Sequence, residues 1–429
     1  MFKTILIYIL RNLSKKIIKK YKPDVVGITG SIGKTSSKEA IASVLGSRFS
    51  IRHNFKNYNN EVGLPLTIIG VDKSPGKSVF GWLEVFARAL KLLSTKDDKY
   101  PEILVLEMGA DKPGDIQYLT DIAPCKVGVL TFIAHAHTEY FKTIKKIAQE
   151  NRVIISHLRA DGFAVLNFDN PLVMENANVT KAEILTYGLK EGADLRATDA
   201  RVLVDEKTCW PVGLNFKVTY HGSIVPIYLG GLVAKQLISS ALAGLAVGVV
   251  YGINLVEGGQ ALADFHPLPG HLCLIPGIKN TLIIDDTYNS SPEPTRTALE
   301  TLAEINLKIG AQRYAVLADM LELGAETQNA HREIGLRVAE LGIDFLITVG
   351  EASKHTALSA REAGLVEHRI ASFADSITAG KFLQEKLHEG DVVLVKGSQS
   401  MRMEKIVKEV MAEPELAKDL LARQGEEWK

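Results

Sequence analysis

A chain of 429 residues exceeds what one ordinary hydrophobic core organises, so two or three domains are expected. Hydrophobic residues make up 46% and charged residues 23%, a balance that excludes a disordered chain. Lysine plus arginine equals aspartate plus glutamate at 50 each, so no net field selects nucleic acid as a partner.

Residues 1–24 come first. Ile5, Ile9, Leu13 and Ile17 recur at helical spacing, with Lys15, Lys16, Lys19, Lys20 and Lys22 clustered towards the end. This pattern predicts a basic amphipathic helix. Its longest apolar run, Ile5 to Leu10, falls short of the roughly 20 residues that span a bilayer, and no small-residue cleavage site follows. Packing on the next domain is the commoner fate of such a helix. Peripheral contact with an anionic membrane is the other.

From Val25 short apolar runs alternate with longer amphipathic ones. "DVVGITG" reads as a buried strand and "KTSSKEAIASVLGS" as the helix after it, and "EILVLEMGA" and "KVGVLTFIA" repeat the scheme. That is the βαβ rhythm of a parallel sheet. Ser78 to Leu93 predicts a strongly apolar helix that buries or docks on something. Residues 197–229 turn to β alternation, as at an antiparallel edge, and "AKQLISSALAGLAVGVVYGI" closes the region as a small-residue helix.

Pro267, Pro269 and Gly270 mark a linker. Beyond it "NTLIIDDTYN", "RYAVLADMLELG", "DFLITVG" and "DVVLVKGSQSMR" resume the α/β rhythm. The expected organisation is α/β throughout. A P-loop ATPase-type parallel-sheet domain covers 25–265, a smaller Rossmann-like domain covers 266–412, and a helical tail covers 413–429. Cys125, Cys209 and Cys273 match no zinc or redox spacing, which fits reduced thiols and a cytoplasmic chain.

The chemistry concentrates first at Thr29-Gly30-Ser31-Ile32-Gly33-Lys34-Thr35-Ser36. A strict Walker pattern wants glycine where Ile28 stands. The physics still fits phosphate. Gly30 and Gly33 let backbone N–H groups face an anion at a helix N-terminus, Lys34 reaches the β and γ oxygens, and the Thr35 hydroxyl suits Mg²⁺. Glu107, His135 and His137 follow strand ends, where ligands of open parallel sheets collect.

"TGSIGKT", "NYNNEVGLPL", "EMGADKPGDIQYLTDIAP", "AHTEYF", "IDDTYNSSP", "ADMLELG" and "VKGSQSMRMEKIV" occur in the order seen in Mur ligases. The chain resembles that family over about residues 25 to 410. Within it, "NNEVGLPL", "DMLELG" and "KGSQSMRMEK" resemble the branch that adds D-alanyl-D-alanine to a UDP-N-acetylmuramoyl tripeptide. The resemblance implies ATP and Mg²⁺, an acyl-phosphate intermediate, peptidoglycan-precursor substrates and a monomer. It implies that Lys34 holds the γ-phosphate, that Thr35 and Glu107 take Mg²⁺, and that His137 serves a second metal. Asn59 and Asn60 match the loop bordering the reacting groups. Asp286, Tyr288 and Asn289 match the motif that meets the nucleotide. Lys396, Ser398 and Arg402 match the motif near the incoming dipeptide.

Several positions depart from the family pattern. Asn151, fourteen residues after His137, stands where the family has a carbamylated lysine. Gln236 and Ser240 replace a histidine and an asparagine that meet the nucleotide. Gly270-His271 replaces Gly-Arg at the linker, so His271 falls at a nucleotide-facing position, and Gln399 replaces an arginine. Only about 25 residues precede the phosphate loop, where the branch carries a UDP-binding domain. Two other readings therefore stay open: a nucleotide-binding partner protein with impaired catalysis, and a ligase of another carboxylate.

Overall fold

The computed structural model describes residues 2–54, 58–134, 141, 143–206, 210–266, 268–425 and 428. Cys209 and Pro267 lie outside them, as do His135 and His137. Two sheets organise the described residues.

The first sheet contains β1 (Asp24–Thr29), β2 (Ile51–His53), β3 (Ile103–Glu107), β4 (Val127–Leu130), β5 (Phe163–Asn167), β6 (Glu183–Gly188), β7 (Leu195–Val204), β8 (Pro211–Tyr220) and β9 (Ser223–Gly230). Their spatial order is β2-β3-β1-β4-β5-β6-β7-β8-β9. The ladders are parallel as far as β7, which pairs with β6 at Tyr187 and Gly188. Only β8 and β9 add antiparallel ladders at that edge. The central strands read as near-continuous apolar runs because both faces are covered. Val26, Ile28, Val105 and Val129 enter one core, while Val25, Leu104, Leu106 and Leu130 enter the other.

On the first face α2 (Lys34–Gly46) packs against the small-residue helix Gln236–Val250. A Cβ at Gly244 would stand 2.9 Å from the Ala40 backbone, so glycine there permits the close approach of the two helices.

On the other face lie α1 (Phe2–Tyr21), α3 (Gly63–Ile69), α4 (Val79–Ser94) and α5 (Asp115–Ile122). Helix α1 packs on the other three. Its buried side chains are Leu6, Leu10, Ser14 and Ile17, with Leu13 partly buried beside them; of the stripe read in the sequence Leu13 and Ile17 pack inward, whereas Ile5 and Ile9 face outward and Leu6 and Leu10 take their place. Tyr21 stacks on Tyr100 at 4.2 Å. The Lys20 ammonium donates to the carbonyls of Leu92 (2.7 Å) and Thr95 (2.6 Å), placing a cation at the C-terminus of α4.

The second sheet contains β10 (Cys273–Gly277), β11 (Thr281–Asp286), β12 (Arg313–Ala318), β13 (Phe345–Val349), β14 (Ile370–Phe373) and β15 (Val392–Lys396), in the order β10-β11-β15-β12-β13-β14. All its ladders are parallel except β10 with β11. Among the described residues from 413 onward the helical structure is short, a 3-10 turn at Pro414–Leu416 followed by one α-turn at Ala417–Leu420. The segment wraps back onto the second sheet, burying Ala417 and Leu421 beside Ile406 and Val410.

Candidate active site

Strand β1 lies between β3 and β4, where the strand order reverses, and ligands of open α/β sheets bind outside the carboxyl ends of strands at such a point. The turn from β1 to α2 occupies it. Gly30 (φ 142°) sits so tightly that a Cβ would meet the Thr131 hydroxyl at 2.1 Å. Gly33 (φ 81°) has free space but left-handed backbone. The turn is pinned from behind. Ser31 N–H donates to the Phe132 carbonyl at 2.6 Å, the Ser31 hydroxyl to Ala134 at 3.0 Å, and the Thr131 hydroxyl to Ile32 at 2.7 Å. Lys34, Thr35 and Ser36 form the first turn of α2, whose N–H groups have no intrahelical acceptor and face anions favourably.

Lys34 turns its ammonium onto the carbonyls of Gly30 (2.7 Å) and Ser31 (3.3 Å). Burial lowers its pKa, while the carboxylates of Glu107 and Asp111 work in the opposite direction. Glu107, at the end of β3, is buried and gathers its neighbours. Its Oε2 accepts from the Thr35 hydroxyl at 2.9 Å and its Oε1 from the Asn59 amide at 2.8 Å.

A cavity of about 70 Å³ opens here, bordered by Gly30, Ser31, Lys34, Asn59, Asp111 and Asn151. The amide of Asn151 is engaged on both sides. Its oxygen accepts from the Thr29 hydroxyl at 3.0 Å and its nitrogen donates to the Ile147 carbonyl at 2.8 Å. The side chain of Asn60 is used differently, accepting from the N–H groups of Val62 (3.1 Å) and Gly63 (2.9 Å) at the start of α3.

Asn54 carries no local sequence signal. It is buried after β2, accepts from Glu107 N–H at 2.5 Å, and offers its carbonyl to the ammonium of fully buried Lys38 at 2.9 Å. Asp111 is a second residue that pattern reading passed over, although it stands inside the recognisable stretch "EMGADKPGD".

A second cluster forms at the carboxyl ends of β11 and β15, where Asp286 and Lys396 are register partners. Their side chains make a buried ion pair at 2.6 Å, and Lys396 also donates to the Asn289 carbonyl at 3.0 Å. Tyr288 N–H donates to Gly270 O at 2.9 Å, and its ring stacks on His271 at 4.4 Å. Burial lowers the His271 pKa, with Asp286 opposing. Burial likewise pushes the Tyr288 hydroxyl up to about 12; Arg423 opposes that rise and Glu107 adds to it, so the two clusters feel each other's charge.

Ser398 is buried and accepts from Leu321 N–H at 2.9 Å. Arg402 points elsewhere: it pairs with Glu404 at 2.5 Å, donates to the Trp428 carbonyl at 2.9 Å, and borders a separate basic cavity of about 410 Å³. Ser240 approaches the Ser37 hydroxyl at 3.5 Å, while Gln236 buries its Oε1 with no partner among the described residues.

Thr35 and Glu107 suit a hard cation, being oxygen donors already within 3 Å of each other. Among the described residues no three His, Cys, Asp or Glu side chains gather as a metal cage. Two protein oxygens, with phosphate and water completing the shell, is the usual arrangement for Mg²⁺.

Comparison with known proteins finds matches over both sheets. The Mur ligase middle domain matches residues 28–247, and the Mur ligase, glutamate ligase domain matches residues 273–399. The UDP-N-acetylmuramoyl-tripeptide--D-alanyl-D-alanine ligase of Bacillus subtilis (strain 168) is 28% identical over 409 residues, covering 94% of this chain and 79% of that protein. Its Escherichia coli (strain K12) counterpart is 28% identical, covering 90% and 76%. The crystal structure of MurF ligase from Thermotoga maritima in complex with ADP superposes with a TM-score of 0.76 at 28% identity, over 96% of this chain and 84% of that one.

Proposed function

The chain belongs to the Mur ligase family, and from that premise we propose that it uses ATP to join D-alanyl-D-alanine to a muramoyl-tripeptide-type peptidoglycan precursor. The observation that carries this reading is the meeting of Lys34, Thr35 and Glu107 at a phosphate-type turn beside a small polar cavity.

The reaction has two displacements. A substrate carboxylate oxygen attacks the γ-phosphorus, the bond to ADP breaks, and an acyl phosphate forms. The amine then attacks the acyl carbon, phosphate leaves with its bridging oxygen, and the amine gives up a proton. Catalysis here is positioning and charge neutralisation. The backbone N–H groups from Gly30 to Ser36 and the Lys34 ammonium hold the phosphates, with Thr29 fixing the turn from below. Asn59 orients Glu107 and borders the reacting groups, with Asn60 fixing the start of α3 next to it. Thr35 and Glu107 would hold Mg²⁺, which supplies neutralising charge to the phosphates when bound; His137 is the proposed ligand on the substrate side. His271, Asp286, Tyr288 and Asn289 serve the nucleotide. Lys396 and Ser398 support the dipeptide side, and Arg402 would reach it only by leaving Glu404 and Trp428.

The test is ADP release that requires both a muramoyl tripeptide and D-alanyl-D-alanine. Lys34→Ala should reduce it by at least ~10²-fold, the scale of losing a preorganised charge contact; turnover near the parent's would overturn the assignment. ATP binding without turnover on any acceptor pair would favour the partner-protein reading, to which the amide at Asn151 lends support because it cannot carry a carbamate.

A further inference from the structure

Helices α1 and α4 both rest on α3 and on each other, so their outer stripes look away from the same layer of the molecule. Those stripes are unusually apolar for a surface. On α4, Phe80 is 81% exposed, Val79 68%, Leu90 58% and Leu83 57%; on α1, Tyr8 is 67% and Ile5 53% exposed. Single exposed apolar residues are ordinary, but a contiguous set on two adjacent helices marks an interaction surface.

Charge selects the partner. Residues 1–22 hold seven of the chain's 50 basic residues and none of its 50 acidic ones, so the remainder of the chain is net negative. Along α1 the outer stripe passes from Ile5, Tyr8 and Ile9 to the exposed Lys16 and Lys19, which make no ion pair among the described residues. Apolar side chains beside unpaired lysines are what an anionic lipid surface complements: the rings and aliphatic chains enter the acyl boundary while the ammonium groups meet headgroup phosphates. No described helix is long and apolar enough to cross a membrane, so the contact is one of lying on the surface. The N-terminal end of α1 also reaches the loop that carries Asn59 and Asn60. Lys3 pairs with Glu61 at 3.5 Å, directly after Asn59 and Asn60.

We propose that the α1–α4 face docks the protein on an anionic phospholipid bilayer, presenting the Asn59 loop to substrate at the membrane surface. Binding needs no turnover, so its failure and failure of the ligase reading are separable. The full chain is sedimented with vesicles of phosphatidylglycerol and phosphatidylcholine, and with phosphatidylcholine alone. The expected result is binding to the mixed vesicles only, weakened at high salt and reduced about tenfold or more both in Phe80→Ser/Leu83→Ser and in Lys16→Glu/Lys19→Glu. ADP release in solution should stay at the parent level in both variants, which shows them folded. Absence of binding to the mixed vesicles, equal binding to neutral ones, or a dimer in light scattering that Phe80→Ser/Leu83→Ser dissolves would each overturn the proposal.

Discussion

Asp285 illustrates how much a single buried group can report. It is fully buried at the end of β11; its Oδ1 accepts from the Thr287 N–H (3.2 Å) and hydroxyl (2.6 Å), while its Oδ2 has no partner among the described residues. Burial raises its pKa to about 7. Between the ordinary carboxylate range and about 7, the folded chain keeps a proton that the unfolded chain has lost. Stability from this group therefore falls as pH rises through that window and is level above it. Asp285→Asn should flatten that part of the Tm-versus-pH curve, gaining most relative to the parent near pH 8; parallel curves for the two proteins would refute the assignment. Such residues divide by how local their signal is. The turn from Thr29 to Thr35 was legible because strand, glycines, Lys-Thr and helix are contiguous. Asn54 was not, since nothing near it in sequence reveals that it meets Glu107 N–H across 53 positions.

Elements show the same division. The parallel rhythm of the two sheets could be read from apolar runs and helical spacing, and so could Leu13 and Ile17 of α1, whereas the buried pair in its first half could not. Ile5–Ile9 and Leu6–Leu10 lie 100° apart on one broad apolar face, and only the neighbouring α3, α4 and α5 decide which pair turns inward. The C-terminal segment is the larger surprise. Arg423, its side chain only 3% exposed, donates to the carbonyls of Thr287 (3.0 Å) and Tyr288, pairs with Glu404 at 3.2 Å, and lies over the Tyr288 ring. Tyr288 is thus held between Arg423 and His271. Arg423→Ala should cost about 3 kcal/mol of stability, as expected when a buried ion pair loses one partner, and should raise KM for ATP more than it lowers kcat. Arg423→Lys restores the charge but not the two-carbonyl grip, and so should recover stability in part while KM stays elevated. Equal changes in kcat and KM would point to general destabilisation instead.

At the scale of the whole molecule, two α/β units bring their strand ends together, and Tyr288 of one feels the charge of Glu107 in the other. The family resemblance implied that the two halves share the nucleotide, through Lys34 on one side and Asp286, Tyr288 and Asn289 on the other, but the sequence says nothing of how they close on it. That Arg402 is held by the tail was not legible there, whereas the apolar character of Ser78 to Leu93 already suggested a helix that docks on something. The central claim is that the Lys34–Glu107 site transfers a phosphoryl group to a carboxylate before the amide forms. Its most direct test uses a muramoyl tripeptide whose acceptor carboxylate carries ¹⁸O at both oxygens, with ATP and D-alanyl-D-alanine. Mass spectrometry of the released phosphate should find one ¹⁸O per turnover, since the bridging oxygen of the acyl phosphate leaves with phosphorus. Amide and ADP formed with unlabelled phosphate would contradict the account.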